Sequence, residues 1–123
     1  MTPHFSNDEL KCRCGCGEAD MNPAFMSRLE RVRIAYGKPM ALSSAYRCQQ
    51  HNFEVGGSKL SPHMEGHAVD VLVRGGNALE LLDAAIYCGM TGFGIKQKGK
   101  GRFIHLDDAD ALPERPRKWI WSY

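Results

Sequence analysis

Asp70 stands in the apolar run HAVDVLVRG, and His105 stands in the equally apolar RFIHLD. A buried carboxylate without a partner is costly, so Asp70 has to meet a cation or hydrogen-bond donors. His63 lies seven residues before Asp70, on the loop that leads into the run, and can come alongside it. Two histidines and a carboxylate make a three-ligand catalytic zinc site with an open fourth position. The competing reading is a pair of satisfied core or surface histidines, and spacing alone leaves both readings open. His63 and His67 stand at i and i+4, but HAVDVLV alternates as a strand does, which weakens a site built from that pair on one helical face.

The elements that must position these residues are readable in outline. NPAFMSRLERVRIAYG is a helix with Asn22 as its cap, Pro23 in its first turn and Gly37 as its stop; Phe25, Met26, Leu29, Val32 and Tyr36 share its core face. KPMALSSAYR reads as a short strand running into a loop. RCQQHNFEVGGSKLSPH is rich in turn formers and long for a loop in a small domain, which favours a functional role. HAVDVLVRG is a strand and NALELLDAAIYCG a second helix, again with an Asn cap and a Gly stop. TGFGI and RFIHLD form a hairpin around KQKGKG, which can bring His105 to the Asp70 strand. The aromatic tail RPRKWIWSY can close over the core; Trp119 and Trp121 could line a substrate pocket, but core packing is the expected role for at least one of them. The sum is an α+β fold, a small antiparallel sheet with helices packed on one side, in a single domain over residues 1–123.

The 123 residues carry a net charge of +2, too mild to argue for nucleic acid, and no apolar run approaches the roughly 18 residues that span a bilayer. The N-terminus has no basic head followed by an apolar stretch, so synthesis in the cytoplasm without a signal peptide is expected. Five cysteines cannot all be paired. Three of them alternate in CRCGC, at Cys12, Cys14 and Cys16, where zinc sites ordinarily use CxxC. Buried or loosely paired thiols are the leading reading there, ahead of a structural metal knuckle or a disulfide to Cys48.

SPHMEGHAVDV resembles the SxHxxGxAxD signature of the zinc D-alanyl-D-alanine carboxypeptidase and L-alanyl-D-glutamate endopeptidase family, murein peptidases that share a fold with lysostaphin and the hedgehog signalling domain. HFSNDELKCRCGCG, SSAYRCQQHN, VGGSKLSPH, GFGI and FIHLD resemble successive blocks of its phage and prophage branch, so the resemblance covers nearly the whole chain. It implies that His63, Asp70 and His105 are the zinc ligands. It also implies that Arg47 contacts substrate oxygen or carboxylate, and that Ser61 is a hydrogen-bonding group behind the first ligand. The plain alternatives are a surface salt bridge for Arg47 and an ordinary turn hydroxyl for Ser61. The chain departs from the family where an acid or a histidine precedes the last ligand, since Arg102 and Phe103 stand at those positions. Asp107 shares a strand face with His105 and is the expected general base or orienter of the attacking water, with Glu65 a weaker choice. The opposing reading is that Asp107 only ends the strand and pairs with a nearby arginine.

The resulting expectation is a monomeric zinc peptidase that cleaves an amide bond in the peptidoglycan stem peptide, with no nucleic-acid partner and no membrane insertion. Action on the wall would follow phage-type release, or arrival with a virion. The alternative from another class is a non-catalytic zinc-containing module that binds cell wall or protein. A third reading is a small structural zinc protein built on Cys12, Cys14 and Cys16.

Overall fold

The computed structural model describes residues 2–123. A capping box opens the first turn, α1 (Asn7–Leu10), where Ser6 and Glu9 satisfy each other's backbone amides. The long helix α2 (Pro23–Tyr36) has the expected ends: the Asn22 side chain accepts from the Phe25 amide at 2.9 Å, and Gly37 turns left-handed at φ 76°. Its buried residues are Phe25, Met26, Leu29 and Val32. The second long helix, α4 (Gly75–Tyr87), starts three residues earlier than a cap at Asn77 implies. Its cap is the backbone of Arg74, while Asn77 is bound instead by Lys38 at 2.8 Å.

The strands β1 (Ala41–Ser44), β2 (Ala68–Leu72), β3 (Gly92–Lys96), β4 (Phe103–Asp107) and β5 (Trp119–Ser122) form one sheet in the order β1-β2-β4-β3-β5. Four strands pair antiparallel, as expected, but β5 lies parallel to β3, so the sheet is mixed. The reason is the connection through residues 108–118, which carries the chain back past β3 instead of turning tightly out of β4. The tail thus extends the sheet at its edge.

Alternation along each strand sorts the residues between two faces. Val69, Val71, Phe93, Ile104 and Leu106 join α2 and α4 in the core. The opposite face carries Asp70, His105 and Asp107, with Asp70 directly across from His105 in the β2–β4 register. Gly94 also lies opposite His105, and Gly92 opposite Asp107. A Cβ on Gly94 would come within 2.6 Å of the Trp121 indole nitrogen, and one on Gly92 would overlap the Asp107 carboxylate. These glycines leave room for side chains that cross the sheet above them.

The segment expected as loop between Arg47 and His63 contains two short helical pieces, α3 (Gln49–Glu54) and a 3₁₀ turn at Pro62–Glu65. Both are too short to show a period, and the cap of α3 is the thiol of Cys48 rather than an ordinary capping side chain. Gly92→Ala should destabilise the chain by about 1–3 kcal/mol in thermal or urea unfolding, because the methyl group collides with a fully buried carboxylate. Combining it with Asp107→Ala should cost less than the sum of the two.

Candidate metal centre

Three elements bring the site together. The 3₁₀ turn supplies His63, β2 supplies Asp70 and β4 supplies His105, and their donor atoms all lie within 4.8 Å of one another. His63 Nε2 is 3.2 Å from Asp70 Oδ1, and His105 Nδ1 is 3.0 Å from the same oxygen. Both histidines are buried, at 3% and 4% exposure.

The outer nitrogen of each ring is already engaged. His63 Nδ1 lies 2.7 Å from the Ala45 carbonyl, an acceptor only, so this nitrogen donates. His105 Nε2 lies 2.7 Å from Asp107 Oδ2 and donates to it in the same way. In the neutral rings the inner nitrogens, Nε2 of His63 and Nδ1 of His105, therefore carry lone pairs that face the Asp70 oxygen. Three lone pairs converging in a buried site repel unless a cation sits among them. Two imidazoles and a carboxylate are also a borderline-soft set that suits zinc, so the residues fit that ion.

In the absence of a metal, a proton does the cation's work. Burial would raise the Asp70 pKa, but hydrogen bonds from His105 and His63 outweigh it and hold the carboxyl well below the usual range. Burial would lower the His105 pKa, but hydrogen bonds to Asp107 and Asp70 raise it. That proton stabilises the metal-free fold below the ordinary histidine range, about pH 6.5, and is lost as pH rises through the raised value. Metal binding has to displace it.

Asp107 is wholly buried and does not line the cleft. One oxygen accepts from His105 and from Arg117 Nη2 at 2.8 Å, and the other accepts from Arg117 Nε at 2.9 Å and from the Ala109 amide at 3.2 Å. This geometry disfavours the expected general-base role, because both oxygens are committed behind His105, away from the solvent side. Burial alone would raise its pKa, but His105 and Arg117 hold it well below the carboxylate range. Pairing of Asp107 with a nearby arginine is the opposing expectation, and Arg117 is that arginine. In RPRKW it stands between Pro116 and Lys118, and nothing in that stretch singles it out from the other arginines.

The other expected residues are present around the cluster. Ser61 accepts from the His63 amide at 3.3 Å and caps the turn that carries this ligand. Arg47 is half-buried; its backbone amide donates to the His63 carbonyl at 3.1 Å and its Nη1 to Asn52 at 2.9 Å. Arg115 and Arg117 also line the cleft, yet each is tied to a carboxylate, Glu65 and Asp107 respectively, whereas the Arg47 guanidinium meets only Asn52 and Ser44. Arg47 keeps donors to spare. Glu65 pairs with Arg115 at 2.9 Å and does not line the cleft, whereas Glu114 does. His67 is separate from the cluster and binds Asp108 at 2.6 Å.

The cleft over the cluster has a volume of about 610 Å³. Trp119, Trp121 and Tyr123 wall it from β5, so both tryptophans face the cleft and neither fills the core. The Trp121 ring lies 5.1 Å from that of His105, and Arg117 lies over Trp121 at 5.3 Å.

If Asp107 acts by holding His105, Asp107→Asn should weaken zinc binding roughly 10- to 100-fold in competition with a chromophoric chelator. Unchanged affinity with lost activity would return it to the role of proton acceptor.

No curated protein matches the chain. Residues 3–107 match the peptidase M15 family, whose members are zinc-dependent metallopeptidases. That span contains His63, Asp70 and His105, and so the whole of the cluster. The chain belongs to the peptidase M15 family.

Proposed function

We propose that the chain hydrolyses an amide bond in the peptidoglycan stem peptide. The observation that carries this reading is the convergence of His63, Asp70 and His105 at the floor of an open cleft that also presents the unspent donors of Arg47. Zinc held by these three residues would supply a Lewis acid for the scissile carbonyl and for water.

The remaining work falls to the chain's own groups. Arg47 offers a planar pair of donors to a substrate carboxylate, or to the oxygen on which charge develops. A stem peptide carries such carboxylates. Trp119, Trp121 and Tyr123 give the cleft an apolar wall against which the peptide can lie and from which water is displaced. Asp107 and Arg117 keep His105 in the tautomer that leaves Nδ1 free. Proton transfer falls to Glu114, the carboxylate besides Asp70 that lines the cleft among the described residues, which has no hydrogen-bond partner there.

None of the described helices is long and apolar enough to cross a membrane. Release of a phage or prophage lysis protein to the wall fits the sequence blocks that resemble that branch, and their resemblance is the support for it.

Mass spectrometry of purified murein digested by the zinc-loaded chain, beside a chelated control, tests the reading. It predicts chelator-sensitive peptide fragments whose new termini identify the bond. Arg47→Ala should lower kcat/KM roughly 100-fold with zinc retained, the loss typical of one removed donor to a developing charge. Glu114→Gln should lower kcat and leave zinc content unchanged. An intact wall, bound but undigested by zinc-loaded chain, would favour the non-catalytic binding module instead.

A further inference from the structure

Away from the cleft, the chain gathers four of its five thiols in one place. Cys12, Cys14, Cys16 and Cys48 have sulfur atoms within 4.8 Å of one another. Cys12 Sγ lies 3.5 Å from Cys14 Sγ and 3.7 Å from Cys48 Sγ, and Cys14 and Cys48 are 3.7 Å apart. A disulfide needs about 2.05 Å, so these sulfurs are not bonded. Zinc–sulfur bonds of about 2.3 Å in a tetrahedron put the sulfurs about 3.75 Å apart. These three separations fall close to that edge length.

We propose that these four cysteines form a second, structural metal site that binds one zinc ion as a tetrathiolate. The surroundings suit thiolate sulfur. The Cys48 amide points at Cys12 Sγ at 3.4 Å, and the His51 amide points at Cys48 Sγ at 3.4 Å. Such N–H donors offset part of the negative charge that four thiolates carry around one divalent ion. Gly15 and Gly17, at φ 90° and 83°, let the CRCGCG turn close tightly, and the Cys12 amide fastens it to the Glu18 carbonyl at 2.7 Å. Alternating spacing, unlike CxxC, works here because the fourth ligand arrives from another segment.

That fourth ligand gives the site its function. Cys48 directly follows Arg47 and caps α3, so an ion there ties the N-terminal turn to the segment that presents Arg47 to the cleft. The ion would act by positioning, through the backbone bond from Arg47 to His63 and the packing of the turn.

The test is zinc content and X-ray absorption on the full chain purified under reducing conditions. Two zinc ions per chain are expected in the wild type and one in His63→Ala. The ion left in His63→Ala should show only sulfur neighbours, at about 2.3 Å. Cys14→Ser/Cys16→Ser should also retain one ion, with nitrogen and oxygen neighbours. A single all-sulfur ion in the wild type would uphold this site and remove the one at His63. Nitrogen or oxygen neighbours in His63→Ala, no ion there at all, or an intact mass short of two hydrogens for a disulfide would overturn the proposal. The His63→Ala arm leaves the cysteines untouched, so it does not depend on the double variant folding.

Discussion

A carboxylate at the centre of a sheet face is tolerable only if something positive stays beside it, and Asp70 is that carboxylate. Its neighbours His63 and His105 are turned by the Ala45 carbonyl and by Asp107 so that their free nitrogens point inward. Without a cation this is an arrangement of mutual repulsion. With a proton or a metal it becomes a stable, pre-formed ligand set. The surrounding architecture is arranged to preserve that orientation: Arg117 neutralises Asp107, Ser61 caps the turn under His63, and Arg47 is bonded to the same turn.

The sheet makes the arrangement rigid. Register places Asp70 across from His105, and the glycines of β3 leave space above the strand for Asp107 and Trp121. A shift of one residue would send Asp70 and His105 into the core and Val69 and Ile104 into the cleft, so the apolar packing against α2 and α4 also fixes the chemistry. Core and site are two faces of one pairing pattern. The strand β5 adds the aromatic wall, and Arg117 just before it balances Asp107, tying the tail of the chain to the centre.

Much of this was legible because it is periodic or anomalous. The helix from Pro23 to Tyr36 carries its start and stop in its own residues, and Asp70 and His105 stood out as polar residues in apolar strands. What escaped the sequence depends on distant partners. The role of Asp107 follows from Arg117, ten residues away, and the sequence left open both a base and a partner of some nearby arginine without showing which arginine. The parallel edge strand follows from the path of a connection with no period of its own. A link between Cys48 and CRCGC could be raised only as a possible disulfide, because the contact that gathers all four sulfurs spans more than thirty residues. The early start of α4 at Gly75 breaks the rule that a capping side chain marks the first turn.

The central claim is that His105 is held by Asp107 through Nε2 so that Nδ1, His63 Nε2 and Asp70 Oδ1 face one metal. Anomalous diffraction at the zinc edge from crystals of the zinc-loaded chain tests it most directly. The account predicts a peak within bonding distance, about 2.0–2.2 Å, of those three atoms, with the Asp107 contact to Nε2 intact. A peak bound through His105 Nε2, or a zinc-loaded crystal with no peak between His63, Asp70 and His105, would contradict it.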